Sequence, residues 1–423
     1  MIEYIKYPKK EDYEAILARP SIDAVELDDL IHGIFESIKL KGDKAIIDYT
    51  KSFDKKEITN LYYTSDEINS LSEQTPIELK TAIQKAAINI EKFHASQKLE
   101  VKKIETSPGV ICWQKASPIE KIGIYIPGGT APLFSTILML AIPAKIAGCK
   151  EIVLATPGEH PAIFYTAKIC GIKNIIKIGG AQAIAALSLG TESIPKVYKI
   201  FGPGNQYVTA AKMYANRIGT AIDMPAGPSE VAVYGNKTSN PSFIASDLLS
   251  QAEHGTDSSV IFLTETEKLV SKVKEELTKQ LANLPRREFA EKALMNSKII
   301  LVNNQEEAIE ILNEYGAEHL ILACEEAEEM AEKIMNAGSI FLGNYTPESA
   351  GDYASGTNHT LPTNGFAKMY SGVNLDSFIK KITLQKISKE GLEDLGEAII
   401  QMAEAESLKA HANAIKIRLE NGL

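Results

Sequence analysis

The sequence predicts an α/β fold with two Rossmann-like parallel-sheet domains, a helical N-terminal region and an extended helical C-terminal tail. From Ile122 onward, short apolar runs alternate with helix-like segments, which is typical of a parallel sheet with crossover helices. The 423 residues exceed what one compact core usually requires, and a hydrophobic content of 44% can fill two cores. Two consecutive α/β halves are also compatible with an ancient duplication.

The strand-like runs fall into two sets. Those of the first set are each followed by a helix-like segment, and they read IGIYIP, EIVLATP, NIIKIG and KVYKIFGPG. Those of the second set are separated by helices such as EEAIEILNEYG and EEAEEMAEKIMNAG, and they read VAVYG, SVIFLTE, KIILV, LILAC and SIFLG. Each set predicts one α/β unit.

The chain on either side of these strands is predicted to be helical. Two long segments before Ile122 are helix-like, with a turn at Gly42-Asp43 in the first. From about Leu375 the chain is predicted to be helical almost to its end, and such a tail often contacts a partner subunit. The predicted divisions are an N-terminal arm (1–21), a discontinuous α/β domain (22–121 and 232–373), a second α/β domain (122–231) and the tail (374–423).

Composition and charge exclude several classes of function. A net charge of −10 without a cluster of Lys and Arg argues against a nucleic-acid partner. The N-terminus lacks the apolar stretch of a signal peptide, and Pro143 and Lys145 interrupt the longest apolar run, so we expect no membrane partner and a cytoplasmic location. The scattered cysteines are predicted to be reduced packing thiols: Cys112, Cys149, Cys170 and Cys324.

Two segments gather metal-binding side chains. In SDLLSQAEHG, a helix-like stretch, Gln251 and His254 stand three residues apart, so both can project toward one ion. Asp352 and His359 lie in a Gly- and Asn-rich loop of roughly thirty residues, and a structureless stretch of this length is usually functional. Imidazole, carboxylate and amide ligands suit zinc better than magnesium or calcium, which prefer oxygen. The sequence therefore predicts a zinc site.

Three glycine turns follow strands of the first set: Tyr125 to Thr130, Gly179 to Gln182 and Gly202 to Asn205. At the carboxyl edge of a parallel sheet, small residues let a ligand approach the backbone and helix N-termini favour phosphate. The fingerprint G-x-G-x-x-G and the P-loop are both absent, so a cofactor must bind in a variant mode. The residues alone do not distinguish NAD from another nucleotide as the cofactor.

Together these segments resemble the histidinol dehydrogenase family. The matching motifs span roughly Pro20 to His411, and they read YIPGGTAPLFST, GGAQAIAAL, FGPGN, DMPAGPSE, LLSQAEHG, YGAEHL, PESAGDYASGTNH and AEAESLKAH. The resemblance implies a zinc-dependent, four-electron oxidation of L-histidinol to L-histidine through L-histidinal with two NAD, the last step of histidine biosynthesis. It also implies one zinc ion per subunit and a homodimer with shared active sites.

The same resemblance implies roles for individual residues. Zinc would be held by Gln251, His254 and Asp352, with His411 supplied by the tail of the other subunit. The acid–base pair would be Glu318 and His319. The NAD contacts would be Tyr125, Gln182 and Asn205. Substrate contacts are implied for Ser229, Gln251, His254, His319, Asp352, His359, Glu406 and His411.

The chemistry of alcohol oxidation suits these residues. Each hydride transfer needs a base for the hydroxyl proton, a role that suits His319, and Glu318 could activate the water that hydrates the aldehyde between the two steps. Because adjacent residues point apart in a strand, both are expected in the turn before LILAC. Glu406 and His411 are five residues apart, about 140° around a helix, so they converge only if the helix bends or ends between them.

Other classes of function are alternatives from the residues alone. A zinc hydrolase would use Glu318 to activate metal-bound water and would not respond to NAD. A metal-stabilised binding protein would leave the acid and base groups without a purpose. A dehydrogenase of another small alcohol is the nearest alternative, and Glu406 with His359 favours instead an amino alcohol that carries an imidazole.

Overall fold

The computed structural model describes residues 2–19, 24–129 and 131–420. Thr130 of the first glycine turn and the predicted boundary between residues 21 and 22 lie outside the described residues. The strands are β1 (Glu3–Lys6), β2 (Ile104–Ser107), β3 (Val110–Pro118), β4 (Lys121–Tyr125), β5 (Glu151–Ala155), β6 (Asn174–Ile176), β7 (Lys199–Phe201), β8 (Ala221–Ile222), β9 (Glu230–Gly235), β10 (Ser259–Thr264), β11 (Lys298–Leu301), β12 (Ala317–Ala323), β13 (Ala337–Leu342) and β14 (Ile379–Ile387). The helices are α1 (Tyr13–Ile16), α2 (Ala24–Lys41), α3 (Asp43–Tyr49), α4 (Ser65–Glu73), α5 (Ile77–Ala95), α6 (Phe134–Ala147), α7 (Pro161–Ile169), α8 (Gly180–Leu189), α9 (Gln206–Arg217), α10 (Pro241–Ala252), α11 (Glu267–Leu281), α12 (Arg287–Met295), α13 (Gln305–Tyr315), α14 (Ala327–Ala331), α15 (Glu348–Tyr353), α16 (Lys389–Ala405) and α17 (Lys409–Glu420).

Two parallel sheets confirm the predicted α/β class. One has five strands in the order β6-β5-β4-β7-β8, and the other has six in the order β1-β11-β10-β9-β12-β13. Every neighbouring pair in both sheets is parallel. Counted from β4 or from β9, both sheets have the order 3-2-1-4-5, and β1 extends the second sheet beside β11. An internal duplication would produce this repeated order.

Each sheet is buried between two hydrophobic clusters, because successive strand side chains point to opposite faces. In β9, Val231 and Val233 pack with α10, α11 and α12, whereas Ala232 and Tyr234 pack with α13 and α1 on the other face. In the five-stranded sheet, α6 and α7 cover one face and α8 and α9 the other. A continuous apolar run such as VAVYG is therefore a strand buried on both faces.

The helices before the first sheet pack against the helices of the five-stranded sheet. Phe35 of α2 shares a hydrophobic cluster with Ile184 of α8, while α4 packs on α7 and α5 on α6. This packing differs from the predicted grouping of 22–121 with 232–373, because an apolar helix face does not reveal in sequence which sheet it covers. The domain boundaries themselves stay a prediction.

A third, antiparallel sheet joins the tail to the segment before β4. Its order is β14-β3-β2. The predicted helix from Leu375 is wrong over β14, and the prediction of helices alone before Ile122 is wrong at β1, β2 and β3. In IKKITLQKI, polar residues occupy most positions, and the segment is a strand because it pairs with β3 along its whole length. Helices α16 and α17 then follow as predicted.

The loop predicted to be structureless contains α15. Pro347 occupies the N-cap position of this helix, where its missing N–H is not needed, and Asp352 lies in its last turn. The short helix places Glu348 and Asp352 four residues apart on one face. The backbone of Asp352 is therefore helical, and the irregular parts of the loop lie before and after α15.

The structure tests the prediction made for the cysteines. All four cysteines are unpaired, as predicted, and burial raises the pKa of the Cys170 thiol to about 12. Among the described helices, none combines the length and the apolar character needed to span a bilayer.

Candidate active site

The predicted catalytic residues lie at the amino-terminal end of the six-stranded sheet. Glu318 and His319 are the second and third residues of β12, and His319 is in register with Val231 of β9. Both side chains are almost fully buried. The prediction that they occupy the turn before LILAC is wrong, because the pairing of β12 with its neighbours begins before the apolar run does.

The two side chains nevertheless approach each other. The backbone N–H of Glu230 donates to Oε2 of Glu318 over 3.0 Å and holds this carboxylate at the sheet edge. There Oε2 lies 3.7 Å from Nδ1 of His319, and Nε2 of His319 lies 3.3 Å from Oδ1 of Asp352. These are ion-pair distances, and neither ring nitrogen makes a well-aligned hydrogen bond to the described residues. Both nitrogens are buried, and each faces a carboxylate.

A group of metal-ligating side chains adjoins this pair. Ligand atoms of His254, Glu348 and Asp352 all lie within 4.8 Å of one another. His254 follows the end of α10, which carries Gln251, whereas α15 carries both carboxylates. With its amide nitrogen toward Glu348, Gln251 donates to that carboxylate, and its oxygen accepts from the Glu230 N–H over 3.1 Å. The structure thus brings the predicted ligands of this chain together and adds Glu348.

Buried negative charge dominates the site. Burial raises the pKa of Glu318 to about 7 and that of Glu348 to about 8. Burial raises the pKa of Asp247 in α10 to about 7 as well. Burial would lower the pKa of His319, but the charges of Glu348, Glu318 and Asp352 outweigh it and raise that pKa to about 10. A divalent cation would compensate these carboxylates, so the residues present fit a zinc ion.

A cavity of about 290 Å³ opens at this end of the sheet. Its lining includes the predicted site residues Ser229, His254, Glu318 and His359. Nδ1 of His359 donates to the backbone oxygen of Asp352 over 2.7 Å, and Nε2 accepts from the hydroxyl of Thr136 over 2.9 Å. These partners assign a neutral tautomer, and burial lowers the pKa of His359. Because Thr136 belongs to α6, His359 ties the two halves of the molecule together.

A larger cavity of about 790 Å³ lies at the carboxyl edge of the five-stranded sheet. All three glycine turns contribute to it, and it is lined by Tyr125, Gln182 and Asn205. The backbone N–H of Gly180, at the start of α8, donates to the Tyr125 hydroxyl over 3.1 Å. Nε2 of Gln182 donates to Asp54 over 3.3 Å, but its buried Oε1 has no hydrogen-bond partner among the described residues. An orphaned acceptor on the wall of such a cavity fits a nucleotide.

The third glycine turn separates the two cavities. Asn205 lines both of them, and its Oδ1 accepts from two backbone N–H groups at the start of α9. The buried Lys212 donates to the backbone oxygen of Gly202 over 2.9 Å and pairs with Asp223 at 2.5 Å, and both side chains also line the smaller cavity. The Gly202 N–H donates to the same carboxylate over 2.8 Å. These contacts therefore hold the backbone of Gly202, the first residue of the turn between the cavities.

Comparison with known proteins identifies the family. The sequence profile described as histidinol dehydrogenase matches residues 17–419. A histidinol dehydrogenase of Bacteroides thetaiotaomicron is 57% identical, with 99% of each chain covered, and that of Escherichia coli K12 is 49% identical over 97% of this chain and 95% of its own. The crystal structure of histidinol dehydrogenase from Elizabethkingia anophelis has a TM-score of 0.97 at 55% identity, covering 99% of this chain and 98% of the other. The chain belongs to the histidinol dehydrogenase family.

Membership in the histidinol dehydrogenase family makes this protein an oxidoreductase of histidine biosynthesis that acts on histidinol. Two of its predicted site residues lie away from the cavities described above. Glu406 and His411 are exposed on the tail and line neither cavity. Helix α16 ends at Ala405 and Ser407 has a φ of 63°, so Glu406 and His411 belong to different helical segments. The condition for their convergence, a helix that ends between them, is met.

Three residues that shape this histidinol dehydrogenase site had no part in the sequence prediction: Thr136, Asp247 and Glu348. A signal existed for two of them. Asp247 stands four residues before Gln251, and Glu348 stands four residues before Asp352, which is the spacing of one helix face. Thr136 carried no signal, because its contact is made across the two halves of the molecule.

Proposed function

We propose that this family member catalyses the zinc-dependent oxidation of L-histidinol to L-histidine through L-histidinal, with reduction of two NAD, as the last step of histidine biosynthesis. The observation that carries the proposal is the buried Glu318–His319 pair, which lies beside His254 and Asp352 at a cavity next to a second, larger one. An acid–base pair, metal ligands and a nucleotide-sized cavity are the parts that successive alcohol and aldehyde oxidations require.

Three residues of this chain would hold the zinc ion: Gln251, His254 and Asp352. His411 from the tail of a second subunit would complete a four-ligand set. When bound, the ion would orient histidinol, whose imidazole and amine are natural zinc ligands. The buried carboxylate of Glu348 accepts from Gln251 and would fix the direction in which that amide points.

His319 and Glu318 would move the protons. In each oxidation the substrate hydroxyl would give its proton to a ring nitrogen of His319 as the hydride leaves the carbon. The ring must be neutral to accept this proton, and a cation bound among the carboxylates would offset the charges that raise the pKa of His319. Between the two oxidations, Glu318 accepts a proton from the water that adds to the aldehyde. A pKa raised to about 7 by burial suits Glu318 to this task near neutral pH. Asp352, 3.3 Å from Nε2 of His319, would orient the ring.

The larger cavity is the proposed NAD site, with Tyr125, Gln182 and Asn205 as contacts. NAD bound there supplies the hydride acceptor for both oxidations. The unpartnered Oε1 of Gln182 and the start of α8 beside Tyr125 supply polar groups on its wall. Because Asn205 also lines the smaller cavity, the turn that contacts the cofactor is the turn that borders the substrate.

The smaller cavity is the proposed substrate site. Ser229 and His359 line it, and Glu406 would join them from the tail of a second subunit. A homodimer with shared sites accounts for the exposure of Glu406 and His411 in the single chain.

Counting the NADH formed per histidinol consumed tests the reaction. Purified protein is incubated with L-histidinol, zinc and NAD, and both quantities are followed to completion. Two equivalents of NADH per histidinol are expected. One equivalent would indicate an ordinary alcohol dehydrogenase, and consumption of substrate without NAD would indicate a hydrolase.

Mixing two inactive variants tests the shared site. Asp352→Asn and His411→Asn should each be inactive alone, because each lesion affects both sites of a homodimer. After mixing and subunit exchange, a heterodimer has one site with both lesions and one intact site, so about a quarter of the parent activity should return. A mixture of Asp352→Asn with His254→Asn is the control and should regain nothing. If the subunits exchange and the first mixture still regains no activity, the two subunits do not share an active site.

A further inference from the structure

A buried arginine of the N-terminal arm lies behind the candidate active site. The arm adds β1 to the edge of the six-stranded sheet, and Tyr13 and Leu17 anchor the chain near α1 in the core of that sheet. The arm then reaches the first residue of the central strand β9, where Arg19 pairs with Glu230. The side chains of this pair are only 16% and 2% exposed, so the pair is shielded from solvent.

The guanidinium of Arg19 holds the starts of two neighbouring strands. Nε and Nη2 donate to the two carboxylate oxygens of Glu230 over 2.5 and 2.9 Å. Nη2 also donates to the backbone oxygen of Tyr315 over 2.8 Å, just before β12 begins. The ring of Tyr315 stacks 3.9 Å from the guanidinium carbon, and its hydroxyl donates to Glu230 over 3.3 Å. These three residues, Arg19, Glu230 and Tyr315, form what we term the arginine clamp.

Glu318 is attached to the arginine clamp through the main chain. The N–H of Glu230 is the backbone donor to Oε2 of Glu318, and Glu318 follows Tyr315 by three residues. A shift of either strand start would change the distance between that N–H and the Glu318 carboxylate. The orientation of Glu318 therefore depends on both attachments of Arg19.

We propose that Arg19 is a positioning residue for Glu318 and acts through Glu230 and the turn at Tyr315. The inference rests on the proposed function, in which Glu318 activates water. Arg19 lines neither of the two cavities, so it acts on the reaction through other residues and touches no reactant.

The arginine clamp is sensitive to the loss of Arg19 alone, because Arg19 and Glu230 carry opposite charges. Without Arg19, the carboxylate of Glu230 would be left buried and unpaired beside the carboxylate of Glu318. An unpaired buried charge is far more disruptive than the loss of both partners, because its desolvation is no longer offset. Neutralising Glu230 in addition should therefore relieve much of the damage.

Substitution of Arg19 tests the proposal. Arg19→Met, assayed with zinc in excess, should lower kcat by roughly 10- to 100-fold, as the loss of a supporting partner behind a functional group does, with the KM for NAD unchanged. Arg19→Lys should be intermediate, because an ammonium can pair with Glu230 but lacks the planar fork that reaches Tyr315 as well. Lys6→Met is the matched control: it breaks an exposed ion pair of the same arm, with Glu267, and should keep the parent kcat.

The double variant Arg19→Met/Glu230→Gln separates positioning from general stability. It should regain part of the kcat lost in Arg19→Met, since the buried charge is gone while the Glu230 main-chain N–H remains. With an active parent, the proposal is overturned by any of three results: Arg19→Met has the parent kcat, the double variant is no better than Arg19→Met, or kcat and the KM for NAD deteriorate together. Should Arg19→Met fail to fold, Arg19→Lys and the double variant carry the same comparison. A parent that makes no NADH from L-histidinol would refute the proposed function instead.

Discussion

The two sheets share one strand order but place their binding groups at opposite ends. The five-stranded sheet presents three glycine turns and a cavity of about 790 Å³ at its carboxyl edge. The six-stranded sheet presents Glu318 and His319 at the amino-terminal start of β12, beside the start of β9. Only the first sheet follows the general rule that open α/β sheets bind ligands outside the carboxyl ends of their strands.

The carboxyl edge of the six-stranded sheet is closed by its own hydrogen bonds. After β9, the N–H of Asn236 donates to the hydroxyl of Ser239 over 2.7 Å, and that hydroxyl donates to the backbone oxygen of Ala323 at the end of β12. Asn344, which follows β13, accepts from the N–H of Asn240 over 3.1 Å and donates to the backbone oxygen of Thr238 over 3.2 Å. Side chains thus occupy the place that the other sheet leaves for a ligand.

The difference shows what each edge can offer. A carboxyl edge with glycine turns offers backbone N–H groups and helix N-termini, which suit a cofactor that must be bound but not altered. The amino-terminal edge offers buried carboxyl groups, and burial raises the pKa of Glu318 to about 7 and that of Glu348 to about 8. In the proposed function, cofactor binding and proton transfer are therefore divided between the two sheets of one molecule.

The largest effect is expected from Glu318→Gln at the amino-terminal end of β12. Loss of the base should lower kcat by roughly 10³-fold, while NAD affinity, which depends on the other sheet, should not change. Glu326→Gln, beyond the carboxyl end of the same strand, is the matched control, because its exposed carboxylate accepts from Asn236 over 3.1 Å at the closed edge. Rates of NADH formation and titration with NAD measure both quantities. If Glu318→Gln and Glu326→Gln have the same kcat, proton transfer does not depend on the amino-terminal end of β12.

A second test concerns the metal ligands on the amino-terminal side. His254→Asn should weaken zinc binding by about 100-fold or more, since even a partner behind a ligand is worth 10- to 100-fold in affinity. Asp257→Asn lines the same cavity with an exposed carboxylate and should leave zinc binding unchanged. Competition with a chelator measures both affinities without reference to activity. If the two variants bind zinc equally well, His254 is not a ligand.

A third test concerns the carboxyl edge of the five-stranded sheet. Gly202 has a φ of 128°, and a Cβ there would collide with the backbone oxygen of Tyr125. Gly202→Ala should therefore distort the third turn and raise the KM for NAD about tenfold, with a loss of roughly 1–3 kcal/mol in stability. Gly171→Ala shares a positive φ of 80° but meets no atom within 4 Å, so it reports the backbone strain alone. A KM for NAD equal in both variants would contradict a role for this turn.

The smallest effect is expected where the two halves meet. Thr136→Val removes the hydroxyl that donates to Nε2 of His359 and should cost about 1 kcal/mol, which corresponds to a few-fold loss in kcat/KM for histidinol. Thr136→Ser retains the hydroxyl and should stay near the parent. Steady-state kinetics on both variants decide the point. An unchanged Thr136→Val would show that His359 is positioned from its own half alone, through Asp352.

Local patterns predicted much of this molecule. Strands β4 to β7, strands β9 to β13 and the three glycine turns were predictable, because a strand, a glycine and a helix start leave their signals in neighbouring residues. Strands β1 and β8 of the same two sheets were not predicted. Strand β14 was not predicted either, because IKKITLQKI is held by its pairing with β3 rather than by an apolar face. The placement of Glu318 and His319 inside β12 was missed for a related reason, since strand pairing extends beyond the apolar run that marks the strand.

Contacts between distant segments limited how much of the candidate site could be predicted from the sequence. Gln251, His254 and Asp352 were predicted to converge, and they lie together here because α10 and α15 pack side by side. Glu348 was not predicted, because the loop around it was expected to have no helix. Its four-residue spacing from Asp352 indicates a shared face only within a helix. The partner of Arg19 lies more than two hundred residues away, and no sequence pattern indicates such a pairing.

Asn205 forms part of the wall of both cavities, and in the proposed function this shared wall would link the binding of NAD to the binding of histidinol. A ligand on one side that displaces the turn changes the free energy of binding on the other, and thermodynamic linkage makes the effect reciprocal. Whatever factor histidinol imposes on the dissociation constant of NAD, NAD imposes on that of histidinol. The order in which NAD and histidinol bind then determines which binary complex forms first, but it does not change the stability of the ternary complex.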